Sequence, residues 1–384
     1  MDPKPLADQE RDIKNLLSRA KSTPLKTSSL RRDTLRRLID LAHSEHTSLK
    51  ITAAENFRYF IKDFPDLEDD AINAVYDLCE DPVYHVRIKG YAAIVDVSRE
   101  QSKWVKRNAD VLIQLLQSDN PDEVVYVKRS LTQHLDMDPV VTMGVVFDQI
   151  IPPEEPLDDE EVAIRDRLRS LVLAFLAGEV KRPLGDRHIG AAGSPAERFL
   201  VTEMFKAIPK LNVGEVETIV KDVLVALPSF KPPSARGTEL LDVILSQTRA
   251  AVKSDLAENT DRASFSEARA YLALALFACI DKRIAPSTHL LNFYFNTIAL
   301  KQVLERISEE AQSDVIVGIS RTLAVWEETK RRTPPTAPAT DLRNSEDSTL
   351  LQQSLDVGAI LFQVCLIFAM NFANDLLITS TGGR

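Results

Sequence analysis

Four times in the first half of the chain an acidic or polar turn runs into a short spacer, an apolar residue, a basic residue and then an amphipathic stretch. HSEHTSLK ends on Lys50, EDPVYHVR on Arg87, SDNPDEVVYVK on Lys128 and PLDDEEVAIR on Arg165. The basic positions are 37, 41 and 37 residues apart, close to the ~40–47-residue period of HEAT and armadillo units. A period of this length constrains the fold strongly. One pair of helices cannot bury its apolar face alone, so units must stack on one another.

The periodicity inside each unit is helical. In NADVLIQLLQS the apolar residues Val111, Leu112, Leu115 and Leu116 form one stripe of a 3.6-residue helix, and no alternating strand run bounded by turn residues is evident. The fold class is therefore read as all-α, a HEAT- or armadillo-like α-solenoid of antiparallel helix pairs. Each unit has a first helix (Leu30–Ala42, Leu67–Cys79, Val105–Gln117, Val140–Ile151) and a second that begins at the basic residue. Pro82, Pro121 and Pro156 sit in the turns or at first helical positions, where a missing N–H costs nothing. Asp158, Asp159, Glu160 and Glu161 lie where a helix N-terminus favours negative charge. The recurring cations Lys50, Arg87, Lys128 and Arg165 are expected to bond the acidic turn of a neighbouring unit, a ladder that sets register. A track for an acidic partner is the alternative.

Four regions follow. Residues 1–184 are HEAT-like repeats. Residues 185–332 continue as armadillo-like helical repeats without the basic ladder, over Pro195–Ile208, Val213–Leu227, Arg236–Ser254, Ser264–Lys282, Thr288–Ile307 and Ser313–Arg332. Residues 333–349 are Pro/Thr/Ser-rich and read as a disordered linker. Residues 350–384 hold an apolar helix and tail. Within it, Val357–Ala373 is interrupted by Gln363 and Asn371 and flanked by Asp356 and Asp375, which is weak for the ~20 apolar residues of a membrane span. A core-packed helix, a poorly packed terminus and a tail anchor stay open, in that order of weight.

Composition narrows function. Twelve Gly in 384 residues leave little for loops that cradle phosphates or dinucleotides, and a net charge of -10 argues against duplex DNA as an obligate partner. Cys79, Cys279 and Cys365 are far apart with no metal-ligand spacing, so neither a disulfide framework nor a zinc site is expected. The start of the chain, MDPKPLADQERDIKNLL, has no apolar core of a secretory signal, and an intracellular monomer is the expectation.

The stretch FPDLEDDAINAVYDLCEDPVYHVR (Phe64–Arg87), followed by ADVLIQLLQSD (Ala109–Asp119), resembles the apoptosis inhibitor 5 family. The likeness continues more loosely through MDPVVTMGVVFDQI and RDRLRSLVLAFL and fades after about residue 250. The resemblance implies a solenoid that is HEAT-like and then armadillo-like, without catalytic activity or cofactor. It further implies a nuclear protein, present in the cytoplasm as an option, that suppresses apoptosis. The implied partners are Acinus and an RNA helicase of the mRNA export machinery. The family's L-x-x-L-L motif falls on Leu112, Leu115 and Leu116. Two features depart: the long helix with a leucine-zipper-like heptad has no convincing counterpart, and the basic C-terminal nuclear signal of the animal members is absent.

Individual residues are weighed as follows. Leu112, Leu115 and Leu116 could anchor in a partner's groove, but the same stripe is what a buried helix needs, and exposing it would cost about 1.5–3 kcal/mol per Leu. Core packing is expected. Arg31, Arg32, Arg36 and Arg37 are spaced to share a helix face that could contact RNA phosphate or an acidic peptide; the alternative is the solvated face of a capping helix. His43 with His46, and His134 with Asp136 and Asp138, have ligand-like spacings and are read as helix ends and turns. His188 beside Asp186 is the one place for an active-site loop, without a nucleophile elbow or P-loop to accompany it. Lys181-Arg182 and Lys330-Arg331-Arg332 are short candidate import clusters.

Overall fold

A computed structural model describes residues 5–153, 157–179, 187–189, 191–232, 234–257, 262–332 and 348–360. The boundary at 184/185, Pro156, the Lys181-Arg182 pair, Asp186, residues 333–347 of the linker, most of Val357–Ala373 and Cys365 lie outside the described residues, while Ser348 and Thr349, read as linker, belong to a helix over residues 348–360. Among the described residues the only β-type pairing is one isolated bridge between Ala263 and Ile307. The fold is an all-α solenoid, and it divides into two compact units: Met1–Gly190 with Ser194–Glu203, and Ala191–Gly193 with Met204–Arg384.

The first unit opens with α1 (Leu6–Ser22) and continues as four pairs. These are α2 (Ser29–Ala42) with α3 (Thr47–Asn56), α4 (Glu68–Cys79) with α5 (Tyr84–Glu100), α6 (Val105–Gln114) with α7 (Pro121–Met137), and α8 (Pro139–Ile150) with α9 (Asp159–Ala177). Each helix packs on its partner, and the pairs stack through α2 on α4, α3 on α5, α5 on α7 and α6 on α8. The turn chemistry starts the helices where the sequence places them. Asn120 accepts from the amides of Asp122 and Glu123 with Pro121 first in α7, Asp138 accepts from Val141 with Pro139 first in α8, and Asp158 forms a capping box with Glu161. The apolar stripes turn inward, with Leu35, Leu38, Leu49, Ile72, Leu78, Ile94 and Leu131 buried. Gly90 lets α5 approach α4 closely: a Cβ there would lie 2.9 Å from the Cys79 backbone nitrogen.

The second unit is less regular. Its α-helices are α11 (Val213–Thr218), α12 (Ala235–Ala257), α13 (Ser266–Leu276), α14 (Ser287–Phe293), the short α15 (Lys301–Leu304) and α16 (Glu309–Arg332); α10 (Pro195–Ala207) precedes them. Three helices widen into π segments at their ends, Ile219–Val223, Phe277–Asp281 and Tyr294–Ile298. The single helix expected over Thr288–Ile307 is broken. The Ala299 amide closes back onto the Tyr294 carbonyl, Leu300 is extended, and residues 306–308 are drawn out of helix by bonds between Ala263 and the backbone of Arg306 and Ser308. A Cβ at Gly237 would collide with the Ile284 carbonyl, and one at Gly318 with the Tyr294 hydroxyl, so both helices touch their neighbours at backbone distance.

Candidate functional site

The second helices begin before the periodic cations and not at them, because the turn residues upstream start the helix first: Lys50 and Arg87 lie in the first turn of α3 and α5, Lys128 and Arg165 about two turns into α7 and α9. Lys50 on α3 donates to Asp81 at 2.5 Å, and Asp81 also accepts from the Val83 amide at 2.8 Å, so one carboxylate closes a turn and receives a charge from the preceding repeat. Arg87 on α5 spans Glu123 with both arms of its guanidinium, 2.7 and 3.0 Å, while its third nitrogen donates to the Asp81 carbonyl at 2.7 Å. Glu123 is buried and also accepts from the Tyr91 and Ser118 hydroxyls. The Arg87 bonds and the Tyr91 hydroxyl hold the Glu123 carboxyl below its ordinary range against the cost of burial. Lys128 reaches Glu179, at the far end of α9, at 2.7 Å. Arg165 makes no ion pair among the described residues. One turn further on, Arg169 instead donates to the Ile150 carbonyl at 3.0 Å.

A second set of polar contacts runs through the interior. The Tyr76 hydroxyl donates to Asn108 at 2.7 Å, Asn108 donates to the Ser98 oxygen at 2.8 Å, and Ser98 lies 2.9 Å from His134 Nε2. His134 Nδ1 is 2.9 Å from the Ser130 carbonyl. A carbonyl only accepts, so Nδ1 carries the proton and Nε2 takes the Ser98 hydroxyl. Burial pushes the His134 pKa down, and the same cause raises the Tyr76 hydroxyl to about 12. His134 is thus a satisfied core residue tying α5 to α7. Glu68, buried at the start of α4, receives Lys103 at 2.5 Å and the Trp104 indole N–H at 2.8 Å. Glu68 went unmarked in its acidic run, and His134, noted for its spacing from Asp136 and Asp138 and read as part of a helix end, is instead a buried member of the hydrogen-bonded chain.

Arg31, Arg32, Arg36 and Arg37, read as sharing one exposed helix face, do not share it. Arg31 is 2% exposed. It points inward, paired with Asp63 and donating to the carbonyls of Lys26, Ala20 and Tyr59. Acceptors at all three nitrogens of the fork, with Asp63 as counter-charge, are what make a buried guanidinium tolerable. Arg32 is paired with Asp66. Arg36 lies 3.6 Å from Asp33, and Arg37 is exposed with no ion pair among the described residues. In the L-x-x-L-L stretch Leu112 and Leu116 are buried. Leu115 is half-buried, because α6 tightens into a 3-10 turn at Leu115–Gln117 and rotates it off the stripe.

Of the remaining candidates, His43 Nε2 stands 3.8 Å from Asp77, and His188 Nε2 lies 3.0 Å from Asp136, which also holds Arg187. Among the described residues no three His, Cys, Asp or Glu side chains group to hold a metal ion, and no helix is long and apolar enough to cross a membrane. Burial raises the thiol of Cys79 well above its usual value and that of Cys279 to about 12. Arg331 and Arg332 bond back to Glu327 and Glu328, and Lys330 lies over the Trp326 ring at 4.2 Å. The second unit, read as lacking the periodic ladder, has ion pairs of its own gathered on α16: Arg269 with Glu310 and Asp314, Arg283 with Glu328, and Arg321 with Asp281.

Stacked helix pairs, buried carboxylates bridging successive repeats and an apolar interior define a protein of the α-helical repeat class. The family model of Apoptosis inhibitory protein 5 matches residues 16–333, and the chain belongs to that family. The match covers both units and extends to residue 333, past about residue 250, where the sequence reading has the likeness fade. Apoptosis inhibitor 5 of Mus musculus is 30% identical over 201 residues, 52% of this chain and 36% of the relative. The Homo sapiens protein is 30% identical over 201 residues, 52% and 35%. The Apoptosis inhibitor 5 homolog of Drosophila melanogaster is 33% identical over 106 residues, 28% and 20%. The chain thus matches about a third of the length of its mouse and human relatives.

Proposed function

We propose that this protein is a non-enzymatic interaction scaffold that restrains apoptosis in the nucleus, holding partners of the Acinus and RNA-helicase kind on its helical surface. The family match over residues 16–333 is the observation that carries the reading, since the matched relatives bear the name apoptosis inhibitor. The side chemistry is in keeping with it. The groups catalysis would recruit have structural engagements: His134 is enclosed in a hydrogen-bonded chain, His188 is held by Asp136, and burial holds the thiols of Cys79 and Cys279 protonated. An RNA-associated adaptor using the N-terminal arginines draws less support, because Arg31 and Arg32 are already spent on Asp63 and Asp66.

Affinity purification of the tagged full chain from nuclear extract, joined to depletion and rescue in cells under apoptotic stress, tests the proposal. The scaffold reading expects proteins retained at physiological salt, nuclear localisation, and more apoptotic cells on depletion that the full chain reverses. Retention of RNA alone, lost steeply as salt rises, or an unchanged death rate on depletion would count against it.

A further inference from the structure

Three open hollows in the first unit share their walls. One of about 440 Å3 lies among α1, α3 and α5, with Lys21, Arg58, Tyr59, Lys89 and Asp96 on its border. The next, about 280 Å3, reuses Lys89 and Asp96 and adds Tyr126, Arg129 and Gln133 from α7. The third, about 490 Å3, reuses Arg129 and Gln133 and adds Val125, Lys128 and Arg187. Shared side chains make them one track across the second helices of consecutive repeats. With neighbouring helix axes about 8–10 Å apart, a track over three helices accommodates roughly 6–9 residues of extended chain.

The charge along this track is uneven in a way that selects a partner. Each carboxylate bordering it is already held: Glu55 by Lys89 at 2.5 Å, Asp96 by Arg58 at 3.2 Å, Asp136 by Arg187 at 3.1 Å and Glu179 by Lys128 at 2.7 Å. Two cations have no carboxylate among the described residues. Lys21 rests 4.0 Å over the Tyr59 ring, and Arg129 is exposed on the wall shared by the second and third hollows. Arg58, on the first hollow, has a shielded Nε without an acceptor among the described residues. Beside these cations stand apolar surfaces in water: Val125 is 63% exposed and Tyr126 42%. The track therefore carries a local positive excess on a chain of net charge -10.

We infer that this track binds an acidic peptide in extended conformation, its carboxylates on Arg129 and Lys21 and its aliphatic or aromatic side chains against Val125 and Tyr126. Spaced carboxylates fit between the track's own acids, whereas a nucleic acid, with a charge at every nucleotide, would meet Asp96 and Asp136 along the same path. Alternate side chains of an extended peptide point to opposite faces, so a run with acidic and apolar residues interleaved presents both to the wall. The inference deepens the scaffold reading and rests on it.

The test pans a display library of random peptides of roughly 12 residues, longer than the track's extended span, against the full chain. A selected sequence is then labelled with fluorescein and its binding read by anisotropy. Selected sequences are expected to interleave Asp or Glu with Leu, Phe or Tyr. Arg129→Glu, at an exposed side chain with no ion pair to lose, should weaken binding by about tenfold or more, while Arg37→Glu on α2, outside the track, should change it by less than about twofold. Lys21→Glu should act in the same direction as Arg129→Glu. Selection of peptides without acids, indifference to Arg129→Glu, or equal binding of an oligouridylate of the same length would overturn the site. If proteins are still retained by the purification described above, that failure belongs to the track alone; if none are retained, the scaffold reading fails with it.

Discussion

In the first unit a cation on one repeat meets a carboxylate on the next, as Lys50 does at Asp81 and Arg87 at Glu123, 31 and 36 residues along the chain. In the second unit ion pairs gather on α16, and most of their side chains are wet: Arg283 and Glu328 are 48% and 39% exposed, Arg321 and Asp281 49% and 51%. Buried carboxylates couple strongly to their partners and punish loss of one member, whereas exposed pairs contribute little. Register in the second unit comes instead from steric closeness, at Gly237 against Ile284 and Gly318 against Tyr294. Both units bury apolar side chains, but buried charge pairs bridge the repeats of the first and close backbone approach marks the second. Each unit holds one of the chain's two tryptophans, Trp104 and Trp326, so Trp→Phe backgrounds let fluorescence follow the units separately.

The largest effect is expected in the first unit at Arg31. Arg31→Ala leaves Asp63 buried without its counter-charge and should cost about 3–5 kcal/mol, read as a fall in the denaturation midpoint reported by Trp104 while Trp326 holds. Replacing both partners by apolar residues, Arg31→Met with Asp63→Leu, should recover much of that loss. If the single variant melts like the parent, buried charge is not what holds the first unit.

Gly237→Ala comes next and moves the test to the second unit. A methyl group driven into the Ile284 carbonyl should cost about 1–3 kcal/mol, seen by Trp326 and not by Trp104. Equal shifts at both reporters would mean that the units unfold as one and that the contrast in stabilisation has no thermodynamic expression.

A pH titration sharpens the comparison further. Burial lowers the folded pKa of His134 below its ordinary 6.5, so the unfolded chain binds the extra proton. First-unit stability should be full above pH 6.5 and decline as pH falls through that value. His134→Gln should remove this slope. Glu68 and Glu123, both held below 4.5 by their hydrogen-bonded partners despite burial, add a second loss below pH 4.5. A His134→Gln protein with an undiminished slope above pH 5 would assign the proton elsewhere.

The smallest effect is expected at the rung that does not close. Arg165→Ala should change stability by less than about 0.5 kcal/mol, in contrast to Arg87→Ala, which strands the Glu123 carboxylate. Thermal melts of the two variants side by side measure the difference.

These contrasts also mark what was legible in the chain beforehand. The first helices of each pair begin within one residue of the expected starts, and where a cap is local the start was legible: Pro139 opens α8, and Asp158 caps α9. The direction of Arg31 was not legible. A dibasic pair at a helix start reads as surface until Asp63, 32 residues away, is known to lie across from it. Leu115 departed from its stripe because a 3-10 turn shifts the phase of a helix by an amount that composition does not encode. The α16 ion pairs went unseen for a similar reason. Their separations, 40 to 45 residues, follow no repeated turn motif, and the π segments that set the geometry are built from residues that suit an α-helix equally well. The track on α3, α5 and α7 was not legible: the signature string ends on Lys128, one residue before Arg129, and nothing local places Lys21 beside it.

The rungs of the first unit have a kinetic consequence. Contacts that join residues 31 or 36 apart demand no long-range search, so a chain emerging from a ribosome can close each one as soon as the following turn appears. At synthesis rates of about 5–20 residues per second, that is roughly every 2–8 s. The Lys50–Asp81 bond would be made before Glu123 has left the exit tunnel, and each finished pair then offers its flank as a template for the next. Assembly would run from the N-terminus outward, with only the newest helix pair awaiting a neighbour and little apolar surface left open to other chains in a crowded cell.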